Sequence, residues 1–65
     1  MLKLYKHYKG NFYIVVGEGR HSETEEEFVI YQSVKEGSLW IRPKEMFYEK
    51  VEINGQWVPR FEEIR

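Results

Sequence analysis

Residues 20–31 constrain the fold most, because a dense cluster of ionisable groups runs directly into an apolar segment. The polar part ends at Thr24 and has the composition of a loop. Residues 28–31, Phe-Val-Ile-Tyr, have the β-branched and aromatic composition of a strand whose two faces are both buried. We therefore expect a polar loop leading into a central strand, with the rest of the chain wrapped around it as further short strands.

The length and the lack of cysteine limit how such a core is stabilised. Sixty-five residues make one domain, residues 1–65, of a size that buries only about 60% of the unfolded chain's surface. Without cysteines, neither disulfides nor a thiolate zinc site can reinforce the core. Aromatic residues make up 17% of the chain, and each large ring can bury roughly 150 to 250 Å². We therefore expect an aromatic core and no deep catalytic cavity.

Three further segments read as strands. Residues 2–8 interleave apolar residues with lysines, which predicts an edge strand that keeps its cations in water. Residues 12–16 are β-branched and aromatic without a break, which predicts a strand covered on both sides. Residues 39–42 form a short strand that Pro43 ends, and residues 43–46 are expected to form a single helical turn with the proline first.

The strongest local signal is a β-hairpin near the end of the chain. Residues 54–55, Asn-Gly, lie between two strand-like runs and predict a two-residue type I′ turn, since both positions require positive φ. The resulting register sets Val51 opposite Val58 and Glu52 opposite Trp57. It leaves the Trp57 ring beside a carboxylate and partly exposed.

The remaining glycines and the tail complete the fold prediction. Gly17 and Gly19 lie so close together that they indicate a β-bulge or a tight backbone approach. Residues 62–65 are expected to fray or to attach only loosely. Five or six short strands, short turns and no amphipathic helix predict an all-β domain, and at this length a strongly bent barrel removes the exposed sheet edges best.

The charge pattern argues against nucleic acid or membrane as a general partner. The formal net charge is -1, with three lysines near the start and a glutamate-rich block in residues 18–27. No apolar run approaches the roughly 20 residues of a membrane span, and the start lacks a signal peptide's apolar region. We therefore expect a cytoplasmic protein without membrane contact.

Few residues favour catalysis. Serines with His7 or His21 could form a hydrolytic site, but there is no G-x-S-x-G motif. His7, His21 and Glu23 could hold zinc in principle, although nothing in their spacing requires it. Acid–base or metal-assisted catalysis by His21 and Glu23 is retained as an alternative. We expect no enzyme activity, no metal and no cofactor.

Arginines at strand edges suggest a binding site. Arg20, Arg42 and Arg60 each lie beside or near a glycine or proline. If the fold brings them together, they form a cationic spot whose guanidinium groups can fork onto a carboxylate or phosphate. The alternative is that they pair with glutamates of this chain, such as Glu23, Glu25 or Glu45.

The loop and the aromatic residues complete the candidate site. In the loop, hydroxyls, carboxylates and the His21 ring either face a ligand or satisfy the loop's own amides. Most tyrosine and tryptophan rings, Trp40 among them, are expected in the core, with Trp57 exposed. The candidate ligand-binding residues are His7, Arg20, His21, Glu23, Thr24, Tyr31, Arg42, Trp57 and Arg60. The expected ligand is a peptide or small acidic group, and single-stranded RNA, held by stacking and basic groups, is the second hypothesis.

Several segments together resemble a known family. Residues 5–10, 20–24, 29–31, 39–43, 46–47 and 58–61 match, in order, the bacterial domain-of-unknown-function family 1653. The chain departs from the family pattern at Gly19, where members usually carry alanine, and in the 34–38 turn. The resemblance implies a small SH3-like barrel and implies no activity.

Overall fold

The computed structural model describes residues 2–65 and is all-β apart from one helical turn. The elements are β1 (Lys3–His7), β2 (Phe12–Arg20), β3 (Glu27–Ser33), β4 (Leu39–Pro43), α1 (Lys44–Phe47), β5 (Lys50–Ile53), β6 (Gln56–Pro59) and β7 (Phe61–Glu63). The predicted all-β class is confirmed, with seven strands where five or six were expected.

The strands form one large antiparallel sheet and one hairpin. The sheet has the order β4-β3-β2-β1-β7, and β5 pairs only with β6 in a separate two-stranded ladder. Because no strand ladder joins the two within residues 2–65, closure into an SH3-like barrel stays a prediction. The sheet leaves β4 and β7 as its two edges.

The additional strand is β7, and it corrects two expectations. β1 is not an edge strand, because β7 pairs with it on the side opposite β2. The tail is not frayed at its start, since Phe61 is 4% exposed and the Ile64 N–H donates to the Leu4 carbonyl at 2.9 Å. Burial of the Phe61 ring, which the tail prediction did not take into account, anchors this strand.

A cluster of aromatic rings fills the inner face of the sheet. Phe47 and Phe61 stack with ring centroids 4.2 Å apart and planes 7° apart. Tyr5 and Tyr31 each approach Phe47 at 5.3 Å, and Val29 is fully buried beside them. Burial, followed by a hydrogen bond and charge interaction with a neighbouring phenol, raises the pKa of Tyr5 to about 12. These rings provide the core that the absence of cysteines requires.

The outer face of the sheet is apolar but largely open. Residues 12–16 and 28–31 were predicted to be covered on both sides. On the outer face this is wrong for Phe12, whereas Phe28 and Ile30 are partly buried. Val29 on the inner face has no exposure, whereas Phe12 is 41% exposed and Ile41 on β4 is 65% exposed. No element of residues 2–65 buries the outer face as fully as the ring cluster buries the inner one.

The local turn predictions hold. Asn54 and Gly55 have φ values of 50° and 81°, as a type I′ turn requires. The ladder sets Val51 opposite Val58 and Glu52 opposite Trp57, as predicted. The predicted bulge in β2 is present as a register shift between Val15 and Gly17.

The helical turn begins one residue later than expected. Pro43 has a ψ of 136°, which is extended, and it pairs with Phe28 as the last residue of β4. The turn itself, Lys44–Phe47, directs Phe47 onto the inner face, where the ring is fully buried. α1 therefore serves to place one core ring.

We predict that Phe47→Leu lowers the free energy of unfolding by about 1 to 2 kcal/mol, because the shorter side chain loses the stack on Phe61 and leaves a void. Urea unfolding followed by tryptophan fluorescence measures the change. Leu39→Ala, at a side chain that is 64% exposed, is the control and should alter stability by less than about 0.5 kcal/mol. Equal losses in the two variants would contradict this description of the core.

Candidate functional site

Two cations and three rings from different elements meet beside the aromatic core. We call this group the arginine–aromatic cluster; its members are His7, Tyr31, Arg42, Arg60 and Phe61. Arg42 lies opposite Val29 in the β3–β4 ladder, so both side chains lie on the same face of the sheet. Its Nε donates to the Tyr31 hydroxyl at 3.4 Å, and its guanidinium carbon lies 6.0 Å from the Phe61 ring centroid.

His7 reaches the cluster from β1. It lies opposite Phe61 in the β1–β7 ladder, and the two ring centroids are 4.9 Å apart. Its Nδ1 accepts the Lys9 N–H at 3.1 Å, so in the neutral ring the proton is on Nε2. Burial lowers the pKa of His7, and the positive charges of Arg42, Arg60 and Lys9 lower it further. At neutral pH His7 is therefore an uncharged N–H donor beside two cations.

Arg60 is held by its own chain. Its Nη2 pairs with the Glu49 Oε1 at 3.2 Å, and its backbone N–H donates to the Glu49 carbonyl at 2.9 Å. Its carbonyl accepts the Tyr8 N–H at 3.0 Å. Arg60 thus connects Tyr8, the residue after β1, to Glu49, the residue before β5. Its buried Nε has no hydrogen-bond partner among the described residues.

Arg42 differs from the other arginines because it has no carboxylate partner. Arg20, Arg60 and Arg65 each form an ion pair with a glutamate, as does Lys44, whereas Arg42 forms none within residues 2–65. Its contacts are the Tyr31 hydroxyl and the face of Phe61. The guanidinium is therefore oriented but not neutralised.

The polar loop of residues 20–24 satisfies its own backbone. The His21 Nδ1 accepts the N–H groups of Glu23 and Thr24 at 3.1 and 3.3 Å. The Thr24 Oγ1 in turn accepts the Glu26 N–H at 3.2 Å. These contacts match the loop-ordering alternative for His21 and Thr24, since the His21 Nδ1 and the Thr24 Oγ1 already accept loop amides.

Arg20 lies in acidic surroundings. It pairs with Glu25 at 3.6 Å, with both side chains exposed. The two residues line an open cleft together with Lys44, Tyr48 and three further glutamates, which are Glu26, Glu27 and Glu45. The hydrogen bond and charge of Glu18 raise the pKa of Lys44 in the same region. The structure groups Arg42 with Arg60, while the neighbours of Arg20 are mainly glutamates.

The two tryptophans lie on different elements. Trp57 is on β6, opposite Glu52, and its ring is 65% exposed. Trp40 was expected in the core but is 51% exposed, on the same face of β4 as Arg42. The spacing of two residues in a strand was the signal that could have placed Trp40 beside Arg42. The Trp40 Nε1 donates to the Ser38 Oγ at 2.9 Å. Trp40 therefore presents an accessible ring on the face of β4 that carries Arg42.

Other functional classes have less support in the geometry. In the part of the chain that the structure describes, no three histidine or glutamate side chains are arranged to hold a metal ion. His21 packs against Phe28, with ring centroids 6.4 Å apart, and His7 packs against Phe61.

A membrane-spanning helix is also not found: over residues 2–65 no helix combines the length and the apolar character that a crossing requires.

Comparison with known proteins gives a family match and a structural match. The family model described as "Protein of unknown function (DUF1653)" matches residues 3–63. The chain is similar to the crystal structure of a protein belonging to DUF1653 from Bordetella bronchiseptica, with 28% identity and a TM-score of 0.88. The alignment covers 98% of this chain and 86% of that one. No curated protein is significantly similar to the chain.

We predict that Arg42→Gln raises the pKa of His7, because the substitution removes a neighbouring positive charge that opposes protonation. Since the folded state favours neutral His7, its contribution to stability is present above about pH 6.5 and is lost as the pH falls below that value. The free energy of unfolding should decline with acidification, and this decline should be smaller in Arg42→Gln. An NMR titration of the histidine ring protons measures the pKa directly.

Arg20→Gln is the matched control, because Arg20 is not among the charges that shift the pKa of His7. Its His7 titration should overlay that of the unsubstituted protein. An unchanged His7 pKa in Arg42→Gln would show that the two groups do not share one site.

Proposed function

The chain belongs to the DUF1653 family of proteins of unknown function, and we propose that it is a non-enzymatic binding module whose arginine–aromatic cluster holds an acidic group of a peptide. The observation that carries the proposal is the guanidinium of Arg42, which is oriented by Tyr31 and Phe61 but has no carboxylate partner within residues 2–65. A carboxylate is the planar anion that a guanidinium fork matches best.

The surroundings of Arg42 strengthen its attraction for an anion. His7 offers an N–H donor on Nε2, and the positive charge of Arg60 nearby is only partly offset by the Glu49 carboxylate. Arg42 and Arg60 are only partly exposed, so the solvent screens their charges less than at a fully exposed site. A hydrogen bond to a charged group contributes roughly 1.5 to 3 kcal/mol. Replacing the bound carboxylate by a neutral group should therefore weaken binding by a factor of about ten or more.

A binding role suits the hydrogen bonds of the two histidines. Each histidine accepts backbone N–H groups at Nδ1, His7 from Lys9 and His21 from Glu23 and Thr24. A general base needs a free ring nitrogen that accepts the proton of a nucleophile. In these rings Nδ1 is occupied, and Nε2 carries the proton and acts as a donor. These contacts favour recognition over acid–base catalysis.

Single-stranded RNA is the second candidate ligand, because the exposed Trp40 ring lies on the same face of the same strand as Arg42. A base could stack on the ring while a phosphate met the guanidinium. The net charge of -1 and the glutamates around Arg20 oppose a long polyanion. We therefore favour a peptide, whose charge is local.

The proposal predicts that binding depends on one carboxylate and on Arg42. In an NMR titration of the ¹⁵N-labelled protein, the peptide acetyl-Ser-Glu-Val-Phe-Ser-amide should bind about tenfold more tightly than the same peptide with glutamine, because only the glutamate forms charge-assisted hydrogen bonds. The shifted signals should include the side-chain Nε–H of Arg42 and the backbone of Trp40. Arg42→Gln should abolish the difference between the two peptides.

Arg20→Gln again serves as the control and should leave both affinities unchanged. Equal binding of the glutamate and glutamine peptides, or absence of binding, would overturn the proposal. A uridine octanucleotide that binds more tightly than the peptide, with an affinity that falls steeply with added salt, would favour the RNA candidate instead.

A further inference from the structure

The two edges of the five-stranded sheet differ in how well they are protected. The β7 edge is three residues long and carries two glutamates, Glu62 and Glu63. Short, charged edge strands resist pairing with other chains. The β4 edge is five residues long, and its first three residues, Leu39, Trp40 and Ile41, are 64%, 51% and 65% exposed. Only Pro43, at its end, is a residue that blocks strand addition.

The ladder shows which backbone groups of β4 are free. The Ser33 N–H donates to the Ser38 carbonyl at 2.9 Å, in the same register as the β3–β4 ladder. Because hydrogen-bonded pairs alternate in an antiparallel ladder, Trp40 and Arg42 direct their N–H and C=O groups toward β3. Leu39 and Ile41 direct theirs away from it. No other strand pairs with β4 among the described residues, so these groups are unpaired.

The side chains of β4 alternate in the complementary way. Trp40 and Arg42 lie on the inner face, opposite Tyr31 and Val29. Leu39 and Ile41 lie on the outer face. A strand added beside β4 would pair its backbone with Ile41 and bring its neighbouring side chains closest to Trp40 and Arg42, since non-hydrogen-bonded pairs have the shorter Cα separation.

We propose that β4 takes up an extended acidic–apolar–aromatic peptide segment of a partner protein as an additional antiparallel strand. The proposal rests on the binding function above and specifies its ligand. The acidic residue lies opposite Arg42, the apolar residue opposite Ile41, and the aromatic residue opposite Trp40. Main-chain hydrogen bonds at Ile41 supply affinity, and the alternating side chains supply specificity.

The charge and the apolar side chains of β4 favour a peptide of this composition. Arg42 pairs with no carboxylate within residues 2–65, so an acidic residue opposite it would supply one. The Trp40 ring is half-exposed and can stack on a second ring. On the outer face, the apolar residue extends the surface formed by Ile41 and its partner Ile30. The peptide has to run antiparallel to β4 for its acidic, apolar and aromatic residues, in this order, to lie opposite Arg42, Ile41 and Trp40.

The experiment separates strand addition from capture of a carboxylate alone. The peptide acetyl-Ser-Glu-Val-Phe-Ser-amide is compared with the same peptide methylated on the valine nitrogen, which keeps the charge and side chains but loses the N–H that would bond to the Ile41 carbonyl. Methylation should weaken binding about tenfold. The bound parent peptide should slow amide hydrogen exchange at Leu39 and Ile41 at least about tenfold, because these N–H groups gain acceptors.

A protein variant provides an independent test. Ile41→Pro removes an edge N–H that does not pair with β3, a position where a sheet tolerates proline. The substitution should weaken binding of the parent peptide about tenfold. The glutamate peptide should still bind more tightly than the glutamine peptide, because Arg42 is unchanged. The thermal unfolding of the free variant is recorded alongside. If the variant unfolds, the methylated peptide alone decides.

The two proposals fail in different ways. Equal affinity of the parent and methylated peptides, with glutamate still preferred over glutamine, would overturn strand addition and leave the acidic-group site intact. Loss of the preference for glutamate would overturn both. Protection of the Leu39 and Ile41 amides that rises with protein concentration, without peptide, would show that a second copy of the chain covers this edge and would also overturn the proposal.

Discussion

The stack of Phe47 on Phe61 is the contact on which the rest of the structure depends. It joins the helical turn after β4 to the last strand, β7, at a centroid distance of 4.2 Å. β7 pairs with β1, and this pairing sets His7 opposite Phe61. The Arg42 guanidinium lies over the same ring, with its carbon 6.0 Å from the ring centroid. The rings that stabilise the fold therefore also place the groups of the candidate site.

Local sequence predicted local structure well. The turn at residues 54–55 and the register of Glu52 against Trp57 follow from positive φ values, which few residues adopt readily. The bulge near Gly17 was indicated by two closely spaced glycines within a strand. The pairing of β7 with β1 could not be read in this way, because it depends on a contact between residues about 55 positions apart in the sequence. Apolar runs such as residues 12–16 predict two covered faces, but they do not say whether the chain has enough material to cover both.

The candidate site was predicted in its residue types but only partly in its grouping. His7, Tyr31 and Arg42 share one face because side chains alternate along β1, β3 and β4. Arg60 lies between β6 and β7 and is held by Tyr8 and Glu49 instead. Arg20 and His21 instead serve the loop and its glutamates. The ion pair between Arg20 and Glu25 could be foreseen, because the two charges lie close together in the sequence. By contrast, the lack of a carboxylate partner for Arg42 within residues 2–65 and the exposure of Trp40 depend on β4 being an edge strand of the sheet.

Aromatic rings cover one face of the sheet, while no strand pairs with the outer edge of β4 within residues 2–65. Arg42, on this edge strand, has no carboxylate partner in the same range. Amide hydrogen exchange of the free protein at low concentration tests this directly. We expect slow exchange at Trp40 and Arg42, because their N–H groups bond to β3. We expect rapid exchange at Leu39 and Ile41, because their N–H groups face solvent. Equal protection at all four amides would contradict this description, because the edge would then be covered within the chain itself.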